Sequence, residues 1–410
     1  MPSVLPYDII AQIIDNIGEN NDINLIKALA LVSHSFLQIC NKHLFATVDL
    51  HDNFPMRRGS SKKGFVKLLE RRPDLAKYIR KLTYNVEYGR RFQSLRFSSN
   101  YPCFDFDDNL LIPILPNFLR TISFLNCLTI TASKLVDWNM VDSSLTSAFL
   151  HLMHLPPVNH IVLSSIENFP LSSLTSSVNL RRLDIFDLIL HVHEDDYSEI
   201  VVLSAMPKIR EFHTTGSFML TTKLLHAERQ DGQPAFNFMD LRRFSTHTGD
   251  ERNLRYVMQN AKLLEKLQLS VGPYGSFMGL RDILSPTART LKELDVTVSI
   301  YSIPQPLGWL CEELEAMAGD NILEALSFEL LADNGEEEYI IGSKIQTVAK
   351  ILVKPGWSAL RQVSFKVSIA GSRYSWEELM EELESIPDKY LSHLSKPESV
   401  AFNYEYKFER

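Results

Sequence analysis

A short apolar pattern recurs along most of the chain and constrains its fold more than any other feature. The pattern is apolar-x-x-apolar-x-(apolar or Thr), and its alternation is the period of a β-strand with one buried face. Ten copies read IRKLTY from Ile79, LRTISF from Leu119, VNHIVL from Val158, LRRLDI from Leu180, IREFHT from Ile209, LRRFST from Leu241, LEKLQL from Leu264, LKELDV from Leu291, LEALSF from Leu323 and LRQVSF from Leu360.

The segments between copies are long enough to return the chain through a helix or loop. Examples are ERNLRYVMQNAKL before Leu264 and PLGWLCEELEAMAGD before Leu323. Parallel strands joined by such crossovers, each covering its neighbour, predict an α/β solenoid with a parallel sheet. SVAFNYEYKF near the C-terminus fits a final capping strand. A two-layer α/β domain with irregular strands is the alternative fold.

The polar positions of each copy are predicted to share one face of the sheet and to contact a ligand there. The mixture of charged and amide side chains suits a protein surface better than a small ligand. The candidates for substrate binding are Arg182, Asp184, Phe186, Arg243, His247, Lys266, Gln268, Glu293, Asp295, Glu329 and Lys366, with Glu211 and His213 as further members of the set.

Composition narrows the class of protein. At 410 residues the chain is expected to hold two or more modules or one repeat array. A net charge of −8 gives no global basic field for nucleic acid. The four cysteines include no CxxC pair, which favours a reducing compartment. With no signal-peptide pattern and no membrane span, we expect a soluble protein of the cytoplasm, the nucleus or both.

The first fifty residues differ from the repeats and predict three short helices. Pro6 suits a first helical turn, and Gly18 suits the helix end. Ser33 or Ser35 is expected to cap the third helix, with Gln38 completing a capping box with Ser35. The apolar stripes comprise Ile9, Ile10, Ile13, Ile14 and Ile17, then Leu25, Ile26, Leu29 and Ala30, then Phe36, Leu37, Cys40 and Leu44.

These helices carry more apolar side chains than three short helices bury among themselves. A unit of this size buries too small a fraction of its surface to be stable alone. The remaining apolar surface therefore packs on the rest of the chain or on a partner protein.

The same segment resembles an F-box, in the form common among fungal F-box proteins. LPYDIIAQIIDNI, LIKALALVSHSF and CNKHLF carry the resemblance, which covers residues 4–46. Phe36 stands where many F-boxes have Trp, which keeps an aromatic side chain and loses the indole donor. The resemblance implies docking on a Skp-type adaptor and, through it, on a cullin scaffold. The adaptor contacts it implies are Leu5, Pro6, Ile9, Ile10, Ile13, Leu31, Val32, Ser33 and Phe36.

The later copies resemble degenerate leucine-rich repeats, most clearly in LRRLDIFDL and LEKLQLSVG. The Asn that usually follows the strand is mostly missing. Together the two resemblances imply an F-box domain over residues 1–50 and a repeat domain over 65–410. The implied function is the substrate-recognition subunit of an SCF-type ubiquitin ligase for an unknown protein target. A non-ligase interaction scaffold, with the first helices as a cap, is the alternative.

No pattern in the chain predicts an enzyme, a cofactor or a metal site. The motifs GxxxxGK[ST], GxGxxG, GxSxG and HExxH are absent. HVHEDD at 191–196, HLMH at 151–154 and GPYGSFMG at 272–279 are interpreted as repeat loops and a return helix. Cys40 and His43 lie three residues apart, but Cys40 shares the apolar stripe of Phe36 and Leu44 and is expected to be a core residue.

Overall fold

The fold is known from a computed structural model of the full chain. The residues it describes are 6–20, 22–51, 61–86, 114–189, 206–216, 218–229, 232–247, 251–271, 279–300, 307–319, 321–333, 341–370, 376–392 and 400–409. Within them the chain is α/β, and every paired strand runs parallel to its neighbours. None of the described helices is long and apolar enough to cross a membrane.

The chain begins with the three expected helices, α1 (Tyr7–Glu19), α2 (Ile23–Ala30) and α3 (His34–Leu44). Asp22 caps α2 by accepting a hydrogen bond from the Leu25 N–H, and Ser33 caps α3 through the Phe36 N–H. The helices share a small core of their own, formed by Ile14, Ile26, Ile39 and Cys40.

Two local expectations for these helices differ from the structure. Ser33, and not Ser35, caps α3, and the Gln38 amide contacts the His34 ring instead of completing a capping box. Gly18 does not end α1, which continues to Glu19 with Asn20 as its cap. Gly18 instead makes room for a side chain of α3, because a Cβ atom there would lie 2.2 Å from Nδ1 of His43.

Twelve described strands follow one another in chain order. Their bounds are β1 (Thr47–Leu50), β2 (Lys81–Val86), β3 (Cys127–Asp137), β4 (His160–Glu167), β5 (Arg182–Phe186), β6 (Glu211–Thr215), β7 (Arg243–His247), β8 (Lys266–Val271), β9 (Glu293–Ile300), β10 (Ala325–Asp333), β11 (Gln362–Ala370) and β12 (Ala401–Glu409).

The chain divides into two compact units. The first comprises Met1–Pro207 with Ala227–Ala235. In it β1 pairs with β2, β2 with β3, β3 with β4 and β4 with β5. The second comprises Lys208–His226 with Phe236–Arg410, and in it β6 to β12 pair in the same sequential way. The boundary predicted between residues 50 and 65 stays a prediction, and residues 52–60 lie outside the described part.

The further described helices lie between the strands, as the repeat pattern predicts. Their bounds are α4 (Ser61–Arg71), α5 (Leu115–Leu119), α6 (Ser143–Met153), α7 (Leu171–Thr175), α8 (Phe218–His226), α9 (Glu251–Asn260), α10 (Leu280–Leu284), α11 (Gly308–Met317), α12 (Ile341–Leu352) and α13 (Trp376–Ile386). Ring contacts show how a helix covers a strand: Phe149 of α6 meets Tyr84 of β2 edge-on, with ring centroids 4.9 Å apart.

The starts of nine strands, β2 to β5 and β7 to β11, form the same hydrogen-bonded arrangement. The first apolar residue is buried just before the strand, as Leu180 and Leu264 illustrate. The N–H groups of the next two residues then donate to one carbonyl of the preceding copy. Arg181 and Arg182 both donate to the Asn159 carbonyl, at 2.8 and 2.9 Å. The copies are thus equivalent in backbone bonding as well as in sequence.

One copy was assigned to the wrong residues. LRTISF from Leu119 is not a strand, because Leu119 ends α5 and Ile122 follows in a turn. The strand β3 begins in LNCLTI from Leu125, six residues further along, which has the same pattern and the same buried first residue. Apolar residues three apart suit a helix end and its turn as well as a strand start, so the two segments look alike in sequence.

The close packing of Gly18 against His43 predicts how a substitution at Gly18 changes the stability of the chain. Nε2 of His43 lies 2.9 Å from Oδ1 of Asp15 and ties α3 to α1. Gly18→Ala should gain about 1 kcal/mol of helix propensity. The added methyl group also displaces the His43 ring from Asp15, and the loss of that contact costs more than the propensity gain. The free energy of unfolding, measured in urea, should therefore fall by about 1 kcal/mol.

The control is the same substitution in a His43→Ala background, where the ring is absent. There Gly18→Ala should be neutral or stabilising. An equal cost in both backgrounds would show that the His43 ring is not the obstacle.

Candidate functional site

Apolar side chains of the first helices are exposed where the F-box resemblance implies the adaptor contact. Ile9 and Ile13 lie one turn apart on α1 and are 40% and 48% exposed. Leu31 and Val32, in the turn between α2 and α3, are 88% and 64% exposed. Their neighbours Ile14 and Ile26 are fully buried in the helical core. The helices therefore satisfy their own core and leave a second set of apolar side chains in water.

The other predicted adaptor residues have different surroundings. Pro6 is exposed at the start of α1. Ile10 and Phe36 are partly buried against the helical core, and the Ser33 hydroxyl is engaged in capping. Leu5 lies outside the described residues. Exposed apolar residues that sequence reasoning did not assign to this set are Tyr7, Ile23 and Leu25.

In the second unit, strand pairing arranges the predicted substrate residues in rows. Arg243, Lys266 and Glu293 are register partners on β7, β8 and β9. Gln268 and Asp295 form the next row on the same face. A third row contains three of the predicted residues, His247 on β7, Glu329 on β10 and Lys366 on β11. Glu329 and Lys366 are direct register partners. The apolar residues between these rows, such as Leu267 and Leu294, are buried on the other face.

Within these rows the charged groups bind one another. The Lys266 ammonium lies 2.9 Å from a carboxylate oxygen of Glu293 and 2.9 Å from one of Asp295. The Gln268 amide donates to Asp295 at 2.9 Å. Burial of Lys266 opposes its charge, but the two carboxylates outweigh burial and raise the pKa of this lysine. Lys366 pairs in the same way with Glu329, at 2.8 Å.

Arg243 and Glu211 form a weaker pair in the same unit. Their guanidinium and carboxylate lie 3.5 Å apart, and the Arg243 side chain is largely exposed. Opposite charges at matching register positions on neighbouring strands favour the parallel pairing. The polar rows consequently have a structural role in strand pairing, and binding to a substrate stays a prediction.

In the first unit, the predicted residues Arg182 and Asp184 belong to a cluster that sequence reasoning did not assemble. The Asp184 carboxylate is buried and accepts hydrogen bonds from Arg182 of its own strand and from Nε2 of His160 on β4. Nδ1 of the same His160 ring lies 3.3 Å from the sulfur of Cys127 on β3. Phe186, also predicted, lies partly exposed at the end of β5.

Electrostatics within this cluster hold His160 in its charged form. Burial disfavours the imidazolium, but the hydrogen bonds with Asp184 and Cys127 outweigh burial and raise the pKa of His160 to about 9. Burial likewise raises the pKa of Asp184, while the bonds from His160 and Arg182 bring it below its usual value. The cluster therefore holds an imidazolium between a carboxylate and a thiol.

Sequence reasoning missed this cluster because it considered only histidines close to each cysteine along the chain. Cys127 and His160 are 33 residues apart, and His160 and Asp184 are 24 apart. The available signal was the third position of consecutive copies, where LNCLTI has Cys127, VNHIVL has His160 and LRRLDI has Arg182. The misassigned copy at Leu119 hid that signal.

Several histidines and cysteines that were considered as possible sites in the sequence lie in the described part of the chain. Among the described residues no group of three or more His, Cys, Asp or Glu side chains is arranged to hold a metal ion. His154 contacts the Ser173 carbonyl, at 3.0 Å. Cys40 is fully buried, as expected, and burial raises the pKa of its thiol. HVHEDD at 191–196 and most of GPYGSFMG lie outside the described residues.

Comparison with known proteins adds no family assignment: no protein-family model matches the chain, and no curated protein sequence matches it.

The network around Lys266 predicts a measurable asymmetry between two lysines. Lys266→Met leaves the carboxylates of Glu293 and Asp295 adjacent and without their cation, and should lower the free energy of unfolding by about 1–2 kcal/mol. Lys292→Met removes an exposed pair with Glu324 at 3.9 Å and should change it by less than about 0.5 kcal/mol. Urea unfolding at low and high salt measures both, and equal effects would contradict a network role for Lys266.

The raised pKa of His160 predicts a pH dependence of stability. Because the folded-state pKa of about 9 lies above the usual value near 6.5, the imidazolium stabilises the fold fully below about pH 6.5. That contribution is lost as the pH rises through about 9. The stability difference between the natural chain and His160→Gln should therefore be largest at pH 6 and shrink by pH 9.5. A difference that stays constant across this range would contradict the charged state.

Proposed function

We propose that the chain is the substrate-recognition subunit of an SCF-type ubiquitin ligase. In this proposal the first three helices are an F-box that docks on a Skp-type adaptor, and the adaptor links the chain to a cullin scaffold. The strand repeats form a leucine-rich-repeat-like solenoid that holds a target protein. The observation that carries the proposal is the exposure of Leu31, Val32, Ile9 and Ile13 on helices that otherwise have a closed core.

Exposed apolar side chains of this kind favour docking over the alternative of a helical cap. A cap would bury its isoleucines against the strands that it covers. Here Ile14 and Ile26 are buried in the helical core, while Ile9 and Ile13 stay in contact with water. Larger apolar patches on a monomer mark interaction sites. Each such side chain buried in a complex contributes about 1.5–3 kcal/mol of transfer free energy.

The mechanism in this proposal is proximity. One end of the chain is held on the ligase scaffold, and the other end holds a target within reach of the charged ubiquitin carrier. The contribution to rate is a raised effective concentration of target lysines. Specificity would lie in outward-facing side chains of the polar rows, such as Gln268, His247 and Arg243. Gln268 is hydrogen-bonded to Asp295, and Arg243 is paired with Glu211.

The docking step is testable by coexpression with a Skp-type adaptor and affinity capture of the complex. Ile9→Asp combined with Val32→Asp removes two exposed apolar contacts and places charge in the docking surface. Adaptor affinity should fall by at least about 100-fold, the equivalent of two lost side-chain burials. Because both positions are exposed, the helices should stay folded by circular dichroism.

Matched controls are Val178→Asp and Met239→Asp, two exposed apolar residues outside the first helices. They should leave adaptor affinity unchanged. An Ile9→Asp/Val32→Asp chain that binds the adaptor as well as the natural chain would refute docking and favour the scaffold alternative.

A further inference from the structure

Three side chains on three adjacent strands of the first unit form a connected chain of polar contacts. Cys127 on β3 lies 3.3 Å from Nδ1 of His160 on β4, and Nε2 of the same ring lies 2.9 Å from Oδ2 of Asp184 on β5. Each ring nitrogen has one partner, so the imidazole is fixed between a thiol and a carboxylate. Asp184 is buried and is held in turn by Arg182.

The register partners of Cys127 on both neighbouring strands carry basic side chains. They are Lys81 on β2 and His160 on β4, and such partners are about 4.8 Å apart between adjacent strands. The Asp184 carboxylate is engaged by His160 and Arg182, and Thr129 contributes a hydroxyl 4.0 Å from the sulfur of Cys127. A partly exposed cysteine beside an imidazole that a carboxylate orients has the arrangement of an activated nucleophile.

We propose that Cys127 is a modification site: its sulfur reacts with small hydroperoxides, and the His160 ring that Asp184 positions donates the proton to the leaving oxygen.

The step is a two-electron oxidation of sulfur. The thiolate attacks the outer oxygen of the hydroperoxide, so an S–O bond forms and the O–O bond breaks. The sulfur becomes a sulfenic acid, and the hydroperoxide is reduced to an alkoxide, or to hydroxide in the case of hydrogen peroxide. Nδ1 of His160 gives its proton to this leaving oxygen, which departs as an alcohol or as water. The ring is left neutral and still bonded to Asp184.

The backbone around Cys127 favours this reaction over acyl transfer. An acyl intermediate needs N–H donors aimed at a developing oxyanion. The N–H groups of Asn126 and Cys127 both donate to the Arg80 carbonyl, and those of Asn159 and His160 both donate to the Asn126 carbonyl. These four groups are therefore occupied by strand pairing. A hydroperoxide needs a single proton donor at its leaving oxygen, and His160 is placed to supply it.

Cys311 is a built-in comparison for this proposal. It is partly exposed, as Cys127 is. Burial and the nearby carboxylates of Glu315 and Glu312 raise the pKa of the Cys311 thiol. Cys127 has an imidazole beside its sulfur and Cys311 has carboxylates nearby, so their difference in reactivity reports the effect of His160 and Asp184.

The experiment exposes the reduced full-length chain to hydrogen peroxide at pH 7 and traps sulfenic acid with a cyclic 1,3-diketone. Peptide mass spectrometry then follows each cysteine separately. General-acid catalysis by a positioned side chain contributes about 100-fold or more. Cys311 lacks this donor in its described surroundings, and the raised pKa of its thiol lowers its thiolate fraction. Cys127 should therefore be trapped at least about ten times faster than Cys311.

Two variants separate the proposed pair from a merely accessible thiol. His160→Gln and Asp184→Asn should each slow trapping at Cys127 about tenfold at pH 7 and leave Cys311 unchanged. Alkylation of Cys127 by iodoacetamide needs no proton at the leaving group, so it should slow less than oxidation does in both variants. If a variant fails to fold, the ratio of the two cysteine rates in the natural chain still decides between the pair and a merely accessible thiol.

Equal rates at Cys127 and Cys311 in the natural chain would overturn the proposal. A folded His160→Gln chain whose Cys127 is as fast as in the natural chain would overturn it as well.

Discussion

The carbonyl shared by two N–H groups, found at the start of nine described strands, is the interaction on which the rest of the described structure depends. Two consecutive N–H groups of one copy bond to a single carbonyl of the copy before it, as Lys292 and Glu293 do to Glu265. The apolar residue just ahead of them is buried. Hydrogen bonding and burial together fix where each strand begins. Once the start is fixed, parallel pairing aligns the later positions with their counterparts in the neighbouring copies, apart from a register shift between β3 and β4 after Thr131.

That alignment explains which parts of the fold were predictable from sequence. The spacing of Leu180, Leu183 and Ile185 predicts a strand, because all three side chains must reach the buried face. Leu119 and Ile122 carry the first part of the same spacing in a helix end and a turn, and only the tertiary packing distinguishes the two cases. Helix ends were less predictable: the fit of Gly18 to the His43 ring depends on a helix further along the chain, which local capping rules do not include.

The candidate sites were predictable to different degrees for the same reason. The exposure of Ile9 and Ile13 could be predicted from composition, because the first three helices carry more apolar side chains than their small core can bury. The pairing of Lys266 with Glu293 and Asp295 requires the register of two strands. The cluster of Cys127, His160 and Asp184 requires three strands and the correct start of β3. Each added strand multiplies the number of possible strand registers. The sites whose residues lie furthest apart along the chain were therefore missed from sequence alone.

The polar rows also determine how substitutions on this face combine. Each row takes one residue from each copy, so the ion pairs of Lys266 and Lys366 in the second unit join side chains of different copies that lie far apart in sequence. Reversing the sign of Lys266 changes the environment of Glu293 and Asp295 at once, and the effect of a second change at either site depends on the first. Energetic coupling on this face therefore recurs at the spacing of the repeats. A substitution that is tolerated in one row is harmful when its counterpart one repeat away has already changed.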